Sequence, residues 1–171
     1  MPGYVIHLCI AKRYAEKFKV ENEEEFIKGV IYPDSITPKS KTHYSLSSSS
    51  GTNLYSFLSV NNLDSNYNEG YFLHLLSDYV FYNKYFSGWK SIDSKILYND
   101  YDILNSKLIP KYNLTVIPEG LEKYFRTDKQ GQTVEYHFDK VNEFIEEVSS
   151  YELHELADKI LQTKDTKFLL K

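Results

Sequence analysis

Cysteine is almost absent from this sequence. Cys9 stands alone, so no internal disulfide can staple the chain, and its apolar surroundings give it the reading of a small buried hydrophobe. Glycine and proline number only seven and five, too few for the frequent turns of a β-sandwich. No stretch approaches the roughly 20 consecutive apolar residues that a membrane span needs. The first residues place no basic segment before an apolar one, and His7, Lys12 and Arg13 interrupt anything resembling a secretory core. On that basis the expected location is cytoplasmic. A basic excess is missing as well: 20 Lys and Arg face 24 Asp and Glu, for a net charge of -4. With no basic stripe to follow a phosphodiester backbone, generic nucleic-acid binding is disfavoured.

What the sequence does have is enough chain for one core and an aromatic surplus to fill it. Its 171 residues suit a single domain spanning 1–171 that needs no disulfide or other staple. Sixteen tyrosines, ten phenylalanines and one tryptophan suggest helices packed through large amphipathic rings whose hydroxyls need partners. Helical periodicity runs through Ile6, Ile10, Ala11, Tyr14 and Phe18, and His7 falls on that stripe. Asn22 is placed to cap a second helix over 23–31, with an acidic first turn; Pro33 is expected to stop it, since the residue before a proline is pushed away from helical angles.

Residues 34–52, with the serine run 47–50 and Gly51, read as an exposed irregular loop. A short helix is expected over 53–61. The most apolar segment, 67–86, carries rings and leucines around nearly its whole circumference and belongs at the centre of a bundle. Further helices are expected at 92–97, 98–109, 118–125 and 138–162, the last broken near Ser149 and Ser150. The expected fold is therefore all-α, a single-domain helical bundle around a buried central helix.

Within that central helix His74 and Asp78 are four residues apart, so both side chains lie on one face. Tyr71, Leu75 and Tyr82 share their side, which turns the pair inward. A buried carboxylate costs several kcal/mol unless it is paired or bound to a cation, and the helix offers no Lys or Arg before Lys84. A hydrogen-bonded Asp–His pair is one resolution; a metal ion is the other. Asp34 and His43, nine residues apart, supply one oxygen and one nitrogen more, although alone Asp34 reads as a turn former and His43 as a solvated side chain. Two His and two Asp complete a tetrahedral set suited to zinc or another divalent first-row ion. Asp100 and Asp102 are further candidate oxygens, with a helix N-cap as the alternative for Asp100.

The order His7, then Pro33-Asp34, then His43-Tyr44, then the run from Gly70 through His74 to Asp78 resembles the zinc-dependent phospholipase C family, whose helical catalytic domain is itself similar to single-strand-specific zinc nucleases. The resemblance covers roughly residues 1 to 86. It implies that Asp34, His43, His74 and Asp78 hold one zinc ion and that Asp78 bridges to a second held partly by His7. It further implies hydrolysis of a phosphoester, the substrate being a small phosphoester or a phospholipid headgroup. Asp34, read as an exposed loop carboxylate able to reach an attacking water, is the candidate general base as well as a ligand. The sequence departs from the family pattern in two places. Met1, Pro2 and Gly3 stand where secreted members present a Trp, the only Trp here being Trp89, and neither His137 nor His154 is followed by Glu four residues later. One or two ions are therefore expected rather than three. A catalytically degenerate relative that keeps the ion as a structural clasp is the alternative reading. A phosphohydrolase of the HD type lacks its adjacent His-Asp doublet, and the 154–158 segment has Asp158 where a metalloprotease helix needs a second His.

Overall fold

The computed structural model describes residues 3–45, 51–88 and 91–171; the serine run 47–50 and Trp89 lie outside them. Among the described residues there are eight α-helices and no strand, which is the all-α bundle the periodicity predicts. Helix α1, Tyr4–Lys17, buries Val5 through Ala11 and Tyr14. Helix α2, Glu23–Ser35, starts at Asn22, whose side chain accepts the Glu25 N–H at 3.1 Å. It then runs through Pro33 instead of stopping at Tyr32. The proline forfeits one backbone bond, while the carbonyls at this end are satisfied from outside the ladder: Ser35 Oγ donates to Tyr32 O and Thr42 Oγ1 to Pro33 O, each at 2.7 Å. Asp34 is thereby carried on the last turn of α2, in helical register with Phe26 and Val30, and not on a loop.

A four-residue helix, α3, Ser40–His43, occupies what the sequence presents as irregular loop, and α4, Leu54–Val60, follows under an Asn53 cap. Helix α5, Asn66–Val80, is buried over nearly its whole length and continues as a π-helical turn, Phe81–Tyr85. It is the axis of the bundle, packed most extensively on α2 and also touching α1 and α4. The two helices expected at 92–97 and 98–109 are one, α6, Ser94–Lys111, capped by Asp93. The helix expected at 118–125 is reduced to a 3-10 turn at Glu122–Tyr124. Only Leu121 of that segment is buried, and Gly120 has φ +86, so neither a core face nor a helical backbone sustains a longer element. Helices α7, Phe138–Val148, and α8, Leu153–Thr163, flank the expected break and both pack on α5.

The crossing of α2 and α5 is closer than side chains would allow. A Cβ on Gly29 would fall 2.0 Å from Tyr67 O, and one on Gly70 would fall 2.0 Å from Phe26 O. Each helix presents its glycine to the other's backbone. Tyrosine hydroxyls fix the surrounding pieces: Tyr71 donates to Thr42 O at 2.6 Å and Tyr112 to Asn142 Oδ1 at 3.0 Å. No helix among the described residues is long and apolar enough to cross a membrane.

Candidate metal centre

Four elements deliver the polar side chains that the bundle encloses. His7 comes from the inner stripe of α1, Asp34 from the last turn of α2, His43 from the end of α3, and His74 with Asp78 from adjacent turns of α5. The Asp34 side chain is 1% exposed and those of His43, His74 and Asp78 are not exposed at all, so the segment that reads as a solvated loop in sequence is helical at both residues and turns them inward.

Two backbone carbonyls set the histidine rings. His74 Nδ1 donates to Val30 O at 2.7 Å and His43 Nδ1 donates to Lys39 O at 2.9 Å. In the neutral rings Nε2 is then a bare lone pair in both cases, and these two atoms lie 3.3 Å apart. Two lone pairs do not face each other at that distance without a proton or a cation between them. Asp34 Oδ1 lies 3.3 Å from His43 Nε2 and 3.5 Å from His74 Nε2; Asp78 Oδ2 lies 3.0 and 3.4 Å from the same two atoms. Five of the six edges of a tetrahedron are thus between 3.0 and 3.5 Å. An ion held by nitrogen and oxygen at about 2.0 to 2.1 Å in tetrahedral geometry requires ligand–ligand edges of about 3.3 Å. The carboxylate oxygens make no hydrogen bond of acceptable geometry to these rings: the donor atoms point at a common centre rather than at one another. The residues fit a divalent ion.

Electrostatics agree. Two buried carboxylates carry two negative charges into the core, each costing several kcal/mol if uncompensated, and a divalent cation with neutral imidazoles balances them. Without an ion the cluster recruits a proton. Burial opposes charge on His74, yet Asp34 and Asp78 outweigh it and raise the ring to about 10. Burial likewise opposes charge on both carboxyls, but the His74 charge together with contacts to the other rings holds Asp34 and Asp78 well below the usual carboxylate range.

His7 stands beside this set and not within it. Its ring stacks on His74 at 3.8 Å and 9°. Its Nε2 lies 3.2 Å from Asp78 Oδ1 and 4.0 Å from Asp34 Oδ2, which are the two oxygens turned away from the tetrahedron. Both ring nitrogens of His7 and all four carboxylate oxygens are buried without a hydrogen-bond partner. Burial and the His74 charge push His7 down to about 4, leaving it neutral and available as a ligand at pH 7.

Asp100 is elsewhere. Its Oδ1 accepts the Val134 N–H at 2.8 Å and its Oδ2 those of Glu135 and Tyr136 at 2.7 and 2.9 Å, so it is neither a ligand nor a cap but a clamp holding 134–136 to the middle of α6. The N-cap role falls to Asp93 because the helix begins earlier than the sequence suggests. Asp102 is exposed. His154 bonds Glu152 and Leu63 O, and His137 is exposed at the start of α7. Sequence reasoning missed Lys39. Its Nζ lies 3.3 Å from Asp34 Oδ1, and its one signal was its place between Asp34 and His43.

No protein-family model matches the chain, and neither does any curated protein or solved structure.

Proposed function

We propose that this protein is a metal-dependent hydrolase of phosphoesters, phospholipase C-like in the order of its donors, with zinc the ion best suited to the two-His, two-Asp set. The observation that carries the proposal is the surplus of donors. Asp34 Oδ1, Asp78 Oδ2 and the Nε2 atoms of His43 and His74 would by themselves fill the coordination of one tetrahedral ion. His7 Nε2, Asp78 Oδ1 and Asp34 Oδ2 remain beside them, buried and without hydrogen-bond partners. A structural ion needs four ligands and no more, so buried donors beyond the fourth call for another role. His7 and Asp78 are the residues that would hold a second ion, which leaves Asp34 Oδ2 outside both sets.

An ion held there would supply Lewis acidity toward a phosphoryl oxygen and a water of lowered pKa. The chain's own groups supply the rest. Val30 O and Lys39 O keep His74 and His43 in the tautomer that offers Nε2. Asp34 Oδ2, directed away from the tetrahedron, is the carboxylate atom placed to take a proton from the attacking water. Small soluble phosphoesters and phospholipid headgroups share the chemistry such a site recognises. The clasp reading draws on one specific observation, the near-complete burial of the four tetrahedral donors, since closed four-ligand sites are structural.

Elemental analysis of protein purified without immobilised metal should find between one and two equivalents of divalent ion, abolished in His74→Ala and Asp78→Ala; normal content in both variants would refute the centre. A panel of phosphomonoesters and phosphodiesters with zinc, manganese or cobalt should show turnover that Asp34→Asn loses. Full metal occupancy with no turnover across the panel would leave the clasp as the function.

A further inference from the structure

The tetrahedral donors are sealed from solvent, and an apolar groove of about 930 Å³ between α1, α2 and residues 114–119 is lined by none of them. Among the described side chains paired with the two carboxylates, Lys39 alone reaches the surface. It is 34% exposed, against 2% or less for His7, His43 and His74. Its ammonium lies 3.3 Å from Asp34 Oδ1, the same oxygen that stands 3.3 and 3.5 Å from the two Nε2 atoms. One vertex of the tetrahedron thus serves two cations.

An ion bound at that vertex and an ammonium beside it repel each other, and an oxygen coordinated to a divalent ion has little negative charge left for a lysine. The backbone of Lys39 cannot yield, because its carbonyl accepts from His43 N and Thr42 N as well as from His43 Nδ1. Its four-carbon side chain can, since it is partly in water and its contact with Asp34 lacks hydrogen-bond geometry.

We propose that Lys39 is the entrance residue of the metal centre: its ammonium stands in as counter-ion to Asp34 while the centre is empty, and turns outward when an ion takes Asp34 Oδ1, where it binds the anionic phosphoryl group of the substrate. The first half rests only on the donor geometry; the second rests on the phosphoester reading above. Lys39 is a competitor for metal in one state and an anion ligand in the other, and the two roles are exclusive because they use one charge.

The test takes chelator-stripped protein as wild type, Lys39→Met, which keeps the stem without the charge, and Lys39→Arg, which keeps the charge. Zinc affinity is read by competition with a chromophoric chelator at fixed pH, and thermal melts check folding. Lys39→Met should bind zinc about three- to fivefold more tightly than wild type, the size expected for losing one partly exposed competing charge, while Lys39→Arg stays near wild type. Inorganic phosphate, titrated calorimetrically into zinc-loaded protein, should bind wild type and bind Lys39→Met about tenfold more weakly at equal zinc content. Equal zinc affinities for wild type and Lys39→Met overturn the counter-ion role. Equal phosphate affinities, or no phosphate binding by loaded wild type, overturn the anion role. Failure of wild type to take up zinc removes the metal centre itself and Lys39's part with it, so the two readings fail by different measurements.

Discussion

Gly29→Ala tests whether the approach of α2 to α5 sets the metal centre. A Cβ at that position would stand 2.0 Å from Tyr67 O and 2.9 Å from both Tyr67 C and Tyr71 N, all backbone atoms. Real Cβ atoms do not come within 3.0 Å, so the helices must separate by about 1 Å, because no side chain is there to swing aside. The residue after Gly29 supplies the carbonyl that holds His74 at 2.7 Å, and a displacement of about 1 Å takes that contact beyond hydrogen-bond range. The Asp34–His74 edge, 3.5 Å, opens with it. Overpacking costs about 1–3 kcal/mol and the orphaned buried carbonyl about 1–3 more, whereas the better helix propensity of alanine returns only about 1 kcal/mol. A net loss of about 3 kcal/mol is a large part of a domain's total stability of about 5–15 kcal/mol. It corresponds to a fall in Tm of roughly 10 °C for a chain this long. Urea and thermal unfolding of metal-free protein read the stability, and zinc affinity reads the site; Gly88→Ala, whose Cβ meets nothing within 4 Å, is the control. A Gly29→Ala protein that melts with wild type and binds zinc unchanged would show that this crossing does not govern the donors.

Zinc binding at pH 7 should release at least one proton, because the metal-free cluster holds His74 charged up to about pH 10 and the ion requires it neutral; calorimetry in buffers of different ionisation enthalpy measures this, and zero release contradicts it. The sign is opposite for the metal-free fold: a raised histidine contributes stability that is complete below its ordinary value of 6.5 and is lost as pH climbs through about 10, while zinc affinity grows over the same interval. His7→Ala should retain one equivalent of zinc and lose turnover, since the four tetrahedral donors stay intact; loss of all metal would place His7 in the first set instead. Asp100→Asn should cost about 2–3 kcal/mol in urea unfolding, because an amide cannot accept from three backbone N–H groups, with no change in zinc content; loss of zinc would reinstate it as a ligand.

The parts of this fold that sequence made legible are those where local signals agree. Asn22 before an acidic turn, the apolar circumference of 67–86 and the serines between α7 and α8 each combine a cap or breaker with a periodic face. Within the centre, His74 and Asp78 were legible for the same reason, since a spacing of four on an apolar helix fixes their face without knowledge of the rest of the chain. The helix boundaries that moved did so for long-range reasons. Nothing between Ser94 and Ile109 interrupts α6, and the hydroxyls that sustain α2 past its proline include one from Thr42, nine residues on.

Lys39 shows where the sequence falls silent, and Asp34 and His43, named as donors only in company with His74 and Asp78, show how little their own segment says. Polar composition is the ordinary signature of a solvated loop, but the donors of a metal centre are polar as well, so a stretch rich in Asp, His, Lys, Ser and Thr reads the same whether it faces water or an ion. What separates the two cases here is tertiary: Tyr71 reaching Thr42 O, Thr42 reaching Pro33 O and the Lys39 carbonyl turning His43 inward. None of these contacts has a pattern of its own in the chain. The signal that did exist was indirect, a carboxylate on an apolar helix with no local cation, which requires a partner from some other segment. Asp78 thus demanded from sequence what only the fold could supply, and the polar segment after α2 is where the fold found it.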